Sequence, residues 1–447
     1  GVSGVPGTSD LITDPEEVKK FASEHGWPVA VKAAYGGGGR GMKVVTNENE
    51  VDSSVESARR ESMASFGRDE LYLERYLTAP RHVEVQVLAD SHGNVVYLGD
   101  RDCSAQRRHQ KLVEEAPAPE IPDDIRIAMG EAAVAVARGC NYTNAGTVEF
   151  LFQDGEFFYL EMNTRLQVEH PVTEMVTGID LVEQQLRIAS GEPLNFSQED
   201  IITSGHSIEF RINAEDPAGG RFLPAPGHID TLKVPDGFGV RFDGGYEAGD
   251  EVSQFYDNLI GKLVVWASSR DIAIGRGLRA LEELEVSGVP TTASAASVII
   301  GHPDFQNVNH STRWVEEKLN FPEEPIDQVS EEGVALERRQ ATVEVDGRRF
   351  EVNLLVPDSR TKPPRRSTSG LSSSGSGSGQ VIAPMQGTIV NVLVEEGAEI
   401  EAGDPICVLE AMKMENNVLA EKSGSVKEVL ISKGDSVGTG DVLAVIE

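Results

Sequence analysis

Cationic side chains are the first shortage in this sequence: 40 Lys and Arg stand against 73 Asp and Glu, a formal charge of −33 at pH 7. Nucleic acid is thereby excluded as a partner, because a phosphate-binding groove needs the opposite surplus. A surface so charged repels itself unless salt screens it, which fits an ordinary acidic cytoplasmic protein and equally one from a saline cell interior. Cysteine is scarcer still. Cys103, Cys140 and Cys407 are odd in number and far apart, so no disulfide framework is expected and a reducing cytoplasm is. Long apolar runs are missing too: nothing approaches the roughly 18 consecutive apolar residues of a membrane span, and no apolar stretch behind a charged start reads as a signal peptide. The sequence therefore predicts a soluble protein without a membrane partner. An initiator methionine is also lacking; the chain opens on Gly1 in the loop-like GVSGVPGTSD and reads as if a domain preceded it.

What is present suffices for a large folded body. A hydrophobic share of 39% over 447 residues is more than one core uses, so two or more domains are expected. From Asp10 to about Leu319, strand-like runs (VAVKAA, HVEVQVLA, VVYLG, GTVEFLF, FFYLEMN, HSIEFRI) interleave with helix-like ones (PEEVKKFASEH, IRIAMGEAAVAVARG, DLVEQQLRIASG), an α+β pattern. Residues 322–340 are acidic and polar, 341–356 alternate around Asp346-Gly347 as a hairpin would, and 358–380 turn to Pro, Arg, Ser and Gly and read as a flexible linker.

The last segment repeats itself. VIAPMQGTIVNVLVEEGAEIEAGDPICVLE (381–410) matches VLAEKSGSVKEVLISKGDSVGTGDVLAVIE (418–447) at a constant spacing of 37, pairing Ala383 with Ala420, Gly387 with Gly424, Gly397 with Gly434, Gly403 with Gly440 and Asp404 with Asp441. Each half is too small to close a core, so the two should pack as one flattened β-barrel or sandwich with quasi-two-fold symmetry, the glycines serving tight turns that need positive φ. Between the halves lies AMKMENN (411–417), which the symmetry places in an exposed hairpin.

Lys413, between Met412 and Met414, would be an ordinary surface lysine were it not at the centre of that repeat. In this setting the segment resembles the biotinyl domains of biotin-dependent carboxylases, whose attachment signal is Ala/Val-Met-Lys-Met. A lipoyl domain shares the fold, but its turn usually carries Asp-Lys-Ala, and methionines on both sides favour biotin. The resemblance implies biotin amide-linked to Lys413 by a biotin protein ligase, which abolishes the charge and adds a long arm.

Upstream, Lys32 ends the run WPVAVK and is followed by Gly36, Gly37, Gly38, Gly39, Arg40 and Gly41. Consecutive glycines let backbone N–H groups turn toward a polyphosphate while the lysine adds a point charge, although a glycine run is as often a flexible turn. Glu149 in VEFLF and Glu161 in YLEMN each fall between apolar neighbours, where an unpaired charge is expensive and a hard divalent cation is an economical partner. Asn163, Arg165, Gln167 and Glu169 alternate in NTRLQVE, so an extended strand would present all four on one face.

The stretches LYLERYLTAPRHVEVQVLADSHGNVVYLGDRDCSAQRRHQKLVEEAPAP (71–119), GTVEFLF and FFYLEMNTRLQVEHPVTEMVTGIDLV (146–182) and IEFRINAEDP (208–217) resemble biotin carboxylase, an ATP-grasp enzyme, with similarity running from Gly1 to about residue 319. The resemblance implies that Lys32 and the loop around Gly38 and Gly39 hold ATP phosphates, that Glu74, Arg75, Tyr76 and Leu77 form the hinge against adenine, and that His82 and His109 contact the nucleotide. It assigns Glu149, Glu161 and Asn163 to Mg²⁺ or Mn²⁺. Lys111 and Arg165 would bind bicarbonate with help from Gln167 and the Val168 backbone, Glu169 would take its proton, and Arg211 would stabilise the biotin enolate.

The expected fold is thus α+β: an ATP-grasp body followed by a small all-β biotinyl (lipoyl-like) barrel. Its expected parts are a glycine-loop lid at 1–76, the ATP-grasp core and carboxylase C-terminal domain at 77–320, an acidic linker and hairpin at 321–357, a flexible linker at 358–380 and the carrier at 381–447. The family carries a domain, with a nucleotide-reaching lysine, ahead of the position matching Gly1, so the ATP site of this stretch is expected to be incomplete. No carboxyltransferase fits between body and carrier, which implies a partner carboxyltransferase β-subunit acting on an acyl-CoA, in an oligomer. Two rivals remain at this level: a non-catalytic biotin carrier, and an ATP-grasp ligase for an amino acid or peptide, which has no use for the AMKM hairpin.

Overall fold

The computed structural model describes residues 2–35, 42–322, 336–345, 348–357, 380–383, 387–411, 414–420, 422–438 and 440–447. They fall into two compact units, 1–252 with 258–321, and 253–257 with 322–447.

The first unit begins with α1 (Pro15–His25), β1 (Val29–Ala33), β2 (Met42–Val45), α2 (Val51–Phe66) and β3 (Leu71–Arg75). The strands pair antiparallel in the order β2-β1-β3, and Val18, Phe21, Val31, Val55 and Leu73 contribute to the core shared with the two helices. α1 starts where local chemistry dictates: the Asp14 carboxylate accepts the Glu16 N–H, the Glu17 side chain returns to the Asp14 N–H, and Pro15 opens the helix. The opening stretch is more than a loop, since the Thr8 N–H donates to Leu73 O (2.9 Å) and the Arg75 N–H to Pro6 O (2.8 Å) along the free side of β3.

Then follow β4 (Arg81–Ala89), β5 (Val95–Arg107), β6 (Gln110–Ala116), α3 (Asp123–Gly139), β7 (Asn144–Gln153), β8 (Glu156–Asn163), α4 (His170–Thr177), α5 (Leu181–Ala189), β9 (His206–Asn213), β10 (Val240–Gly244), β11 (Leu259–Ala267), α6 (Arg270–Glu283) and α7 (Ala293–Gly301). Eight of these strands form one antiparallel sheet in the order β10-β11-β9-β6-β5-β4-β7-β8. Strand alternation decides what each face does. Val83, Val85 and Val87 of β4 and Val148, Phe150 and Phe152 of β7 pack with Met129, Ala133 and Ala137 of α3. Ile208, Phe210 and Ile212 of β9 join the core that α6 and α7 complete. The intervening residues, His82, Glu84 and Gln86, Thr147 and Glu149, Ser207 and Glu209, are polar and nevertheless buried. Buried charge without partners costs several kcal/mol per ion, so each ionisable group on this face must either find a partner or give up its charge.

The expected strand through Asn163 to Glu169 is not formed. β8 ends at Asn163, and the chain turns at 167–170, where the His170 N–H donates to Gln167 O, to enter α4 with Pro171 in its first turn. Alternation over four residues cannot outweigh a helix start fixed by proline just downstream. Arg165 is accordingly exposed, whereas Gln167 and Glu169 are both buried.

In the second unit, β12 (Leu336–Val345) and β13 (Arg348–Pro357) pair as the hairpin read from the sequence, five residues longer at its start; Asp346-Gly347 lies outside the described residues. The repeat then builds β14 (Gln380–Ile382), β15 (Gly387–Val392), β16 (Glu399–Ile400), β17 (Pro405–Ala411), β18 (Met414–Leu419), β19 (Gly424–Val429), β20 (Ser436–Val437) and β21 (Val442–Ile446). Two four-stranded sheets result, β14-β21-β19-β16 and β18-β17-β15-β20, each the image of the other under the spacing of 37. Positive φ falls on Gly397 and Gly434 (85° and 96°) and on Gly403 and Gly440 (100° and 88°), as expected of turns. Gly387 and Gly424 serve otherwise: a Cβ there would lie 2.4 Å from Glu410 O and 2.3 Å from Glu447 O, so they are glycines of close backbone approach. The exposed hairpin is also narrower than AMKMENN, because Met414 to Asn417 pair with Ala411 to Val408. Lys413 itself lies outside the described residues.

Candidate active site

The polar face of the eight-stranded sheet carries a continuous ionic ladder. At its centre Arg101, fully buried, uses all five of its N–H groups: Nε donates to Glu84 Oε1 (2.6 Å), Nη1 to Gln86 Oε1 (2.7 Å) and Thr173 Oγ1 (3.0 Å), and Nη2 to Thr147 Oγ1 and Gln167 Oε1 (both 3.1 Å). Lys111 Nζ then joins three carboxylates, Glu84 Oε2 (2.7 Å), Glu169 Oε1 (2.6 Å) and Glu149 Oε1 (3.3 Å). On the far side of Glu169, Arg211 donates from Nη2 to Glu169 Oε2 (2.9 Å) and from Nε to Glu114 Oε1 (2.6 Å).

The titration behaviour follows from this packing. Burial works against the charges on Lys111 and Glu84, but the carboxylates around the first and the cations around the second outweigh it: Lys111 is raised well above its usual range and Glu84 held well below its own. His82 is buried with Nε2 3.2 Å from Glu149 Oε2 and 3.6 Å from Glu84 Oε2. The angles are outside regular hydrogen bonding, so the contact is one of charge. Against burial, the two carboxylates push this imidazole up to about 9, and His82 with Lys111 holds Glu149 at about 2.

Glu149 Oε1 also accepts from Gln167 Nε2 (2.8 Å) and Asn163 Nδ2 (3.0 Å). Register places Glu149 directly opposite Glu161 and Thr147 opposite Asn163, so the two carboxylates and the amide share one face. Like charges opposed across a ladder repel; an oxygen-only set of this kind fits a hard divalent cation. Glu161 is exposed, contrary to the expectation that its apolar neighbours would bury it, because the strand lies at the sheet's edge. Arg165 Nη2 reaches Asn163 Oδ1 at 3.3 Å, and the Val168 carbonyl accepts from Lys262 Nζ at 2.9 Å.

Other candidates stand in different places. Lys32 on β1 is ion-paired with Glu74 on β3 in the small sheet, and Arg75 pairs with Glu156 at 2.7 Å. Tyr76 accepts from Arg313, and Leu77 is buried. His109 is exposed and, with Arg108, closes the β5–β6 hairpin at positive φ (46° and 66°), the conformation of a two-residue primed turn without its usual glycine. Gly38 and Gly39 lie outside the described residues. Sequence reading missed Glu84, Arg101, Glu114, Glu209 and Lys262; for Glu84 and Glu209 the signal was the polar residue at every second position of HVEVQV and SIEFRI, a pattern that an exposed sheet face would show equally.

An antiparallel sheet bearing this ladder, joined in sequence to a two-fold β-barrel, defines an ATP-grasp carboxylase with its own carrier. Residues 1–197 match the carbamoyl-phosphate synthase L chain ATP-binding domain, 209–317 the biotin carboxylase C-terminal domain and 379–446 the domain of biotin-requiring enzymes. The biotin-dependent acyl-coenzyme A carboxylase alpha3 subunit of Mycobacterium leprae is 47% identical over 434 residues, covering 93% of this chain and 72% of the relative. The biotin carboxylase domain dimer of Hydrogenobacter thermophilus 2-oxoglutarate carboxylase, solved with MgADP, ADP and bicarbonate, shares 48% identity over 71% of this chain and 70% of its own, at a TM-score of 0.61. The Campylobacter jejuni biotin carboxylase bound to an ATP analogue shares 47% over the same proportions, with a TM-score of 0.62. The chain belongs to the biotin carboxylases, in the branch that carries its own biotinyl domain. Its reaction is the ATP-dependent carboxylation of biotin, with magnesium. Among the described residues no helix is long and apolar enough to cross a membrane.

Proposed function

We propose that this chain carboxylates biotin held on its own Lys413 and hands the carboxyl group to a partner carboxyltransferase for transfer to an acyl-CoA. The reading of the acceptor is supported by the Mycobacterium leprae relative, an acyl-coenzyme A carboxylase subunit that this chain matches over 93% of its length. ATP supplies the phosphoryl group that activates bicarbonate, the cation neutralises its charge, and biotin supplies the ureido nitrogen that accepts the carboxyl group. Lys111 and the exposed Arg165 guanidinium bind bicarbonate, Gln167 and the Val168 backbone orient it, and Glu169 takes its proton. Arg211 stands ready to stabilise negative charge on the ureido oxygen. Glu149, Glu161 and Asn163 hold the cation, Mg²⁺ or Mn²⁺. His82 and Glu84 offer ligand atoms within 4.8 Å of one of Glu149 but are already engaged, His82 with the two carboxylates and Glu84 with Lys111 and Arg101. Lys32, Gly38, Gly39, Glu74 to Leu77, His82 and His109 bind the nucleotide. A biotin protein ligase is the second partner, and the assembly is oligomeric. All three cysteines are free, which suits a cytoplasmic setting.

The observation that carries this reading is Glu169, buried and held by one oxygen to Lys111 and by the other to Arg211. A carboxylate fixed between two cations keeps its position, a requirement of a base acting on an anion beside it. Glu169→Gln is expected to lower bicarbonate-dependent phosphate release by about 100-fold or more, with the KM for ATP unchanged. Retention of the native rate would overturn the assignment.

A further inference from the structure

Lys262 stands apart from the other cations of the ladder. It lies on β11 opposite Arg211 on β9 and opposite Asp243 on β10, and its side chain is 13% exposed. With Asp243 beside it, Lys262 nevertheless gives its short hydrogen bond to a neutral group, the carbonyl of Val168 at 2.9 Å, while Asp243 Oδ2 stays 3.8 Å away. That carbonyl belongs to the peptide leading into Glu169. Of the three carbonyls in the turn, Gln167 O is taken by the His170 backbone and by His170 Nδ1 (2.7 Å), and Glu169 O by the Val172 N–H. Only Val168 O is tied to a distant strand. Beyond it, Asp243 is gripped by Arg241 through two 2.7 Å bonds, and Arg241 Nη1 reaches Glu174 Oε2 in the middle of α4, also at 2.7 Å. Strands β10 and β11 thus hold both the turn and the helix behind it.

We infer that Lys262 is a positioning residue for the bicarbonate-binding turn: by fixing the Val168 carbonyl it sets the peptide plane from which Glu169 reaches between Lys111 and Arg211 and beside which Gln167 bridges Arg101 and Glu149. The inference rests on the proposed roles of Gln167 to Glu169. Misplacing a reacting group by about 1 Å costs on the order of 100-fold in rate. The loss should fall on bicarbonate, because Lys262 bonds the turn that carries Gln167 and Glu169, whereas the nucleotide-binding candidates lie elsewhere, Lys32 and Glu74 on the separate small sheet, His82 on β4 and His109 in the β5–β6 hairpin.

The experiment compares Lys262→Met and Lys262→Ala in the intact protein with its carboxyltransferase partner. Both variants are expected to lose about 10- to 100-fold in kcat/KM for bicarbonate with the KM for ATP within about two-fold of native. Ethylamine, which can occupy the space left by the alanine and donate to Val168 O, should recover activity in Lys262→Ala and not in Lys262→Met. Native bicarbonate kinetics in both variants, a loss shared equally between ATP and bicarbonate, or a Lys262→Ala defect that ethylamine leaves unchanged would each overturn the inference. Glu169→Gln run alongside separates the two levels: an inactive Glu169→Gln beside a fully active Lys262→Met sinks only the role of Lys262, whereas an active Glu169→Gln sinks the turn's proposed chemistry and this inference with it.

Discussion

Glu114 shows how far burial governs single residues on the charged face. It lies directly across β6 and β9 from Glu209, and both are fully buried. Burial, reinforced by the charge of Glu114, pushes Glu209 well above the usual carboxylate range, and burial brings Glu114 up to about 7 against the pull of Arg211. A carboxyl whose folded pKa exceeds its unfolded value holds its proton longer in the native state. Its contribution to stability is fully present below about 4.5 and is lost as pH rises through about 7. Glu114→Gln should therefore lose less stability than the native protein between pH 5 and pH 8, the difference being on the order of 3 kcal/mol. Urea midpoints at the two pH values measure it, and parallel losses would show that Glu114 is ionised throughout. Arg211 was recognisable from its motif, but nothing in HSIEFRI announced that its neighbour Glu209 would have neither oxygen partnered.

At the scale of elements, the two halves of the carrier are a controlled comparison of glycines. Gly387 would place a Cβ 2.4 Å from Glu410 O and Gly424 one 2.3 Å from Glu447 O. Both contacts are with backbone, which cannot rotate away. Gly387→Ala and Gly424→Ala should each destabilise the barrel by about 1–3 kcal/mol. Gly275, inside α6 with nothing within 4 Å of its added Cβ, should instead gain up to about 1 kcal/mol on replacement by alanine. Calorimetric transitions of the three variants test the contrast, and equal effects at Gly275 and Gly387 would contradict it. Elements with strong periodicity or a repeat, such as β4, β9 and the two repeated β-halves of the carrier, were legible from sequence. The segment from Asn163 to Glu169 was not, because four alternating residues say nothing about whether a neighbouring strand continues to pair with them.

For the whole molecule, the separation into two compact units divides one reaction into parts that can be assayed apart. Lys413→Arg keeps the charge and removes the acceptor for biotin. The variant should give no streptavidin signal when produced with a biotin ligase and should fail to carboxylate an acyl-CoA with the partner carboxyltransferase, while carboxylation of free biotin stays near the native rate. A streptavidin signal that survives the substitution would place the biotin on another residue, and loss of free-biotin carboxylation would tie Lys413 to the chemistry of the first unit.

The sequence by itself determined the family, the two-fold carrier and the residue types at the site, because each is written in short motifs whose spacing survives without knowledge of distant contacts. It also supplied the alternation that puts His82, Glu84 and Gln86 on one side of β4. Only the tertiary structure decided that this polar side is buried as fully as the apolar one, that Arg101 fills the centre of the site, and that Glu161 and Arg165 stand at its exposed margin. The physical reason is that periodicity records which residues share a face, whereas burial, pairing and ionisation depend on which strand lies next in the sheet. Lys262 and Val168 meet at 2.9 Å across nearly a hundred positions of chain, and no local pattern encodes that meeting.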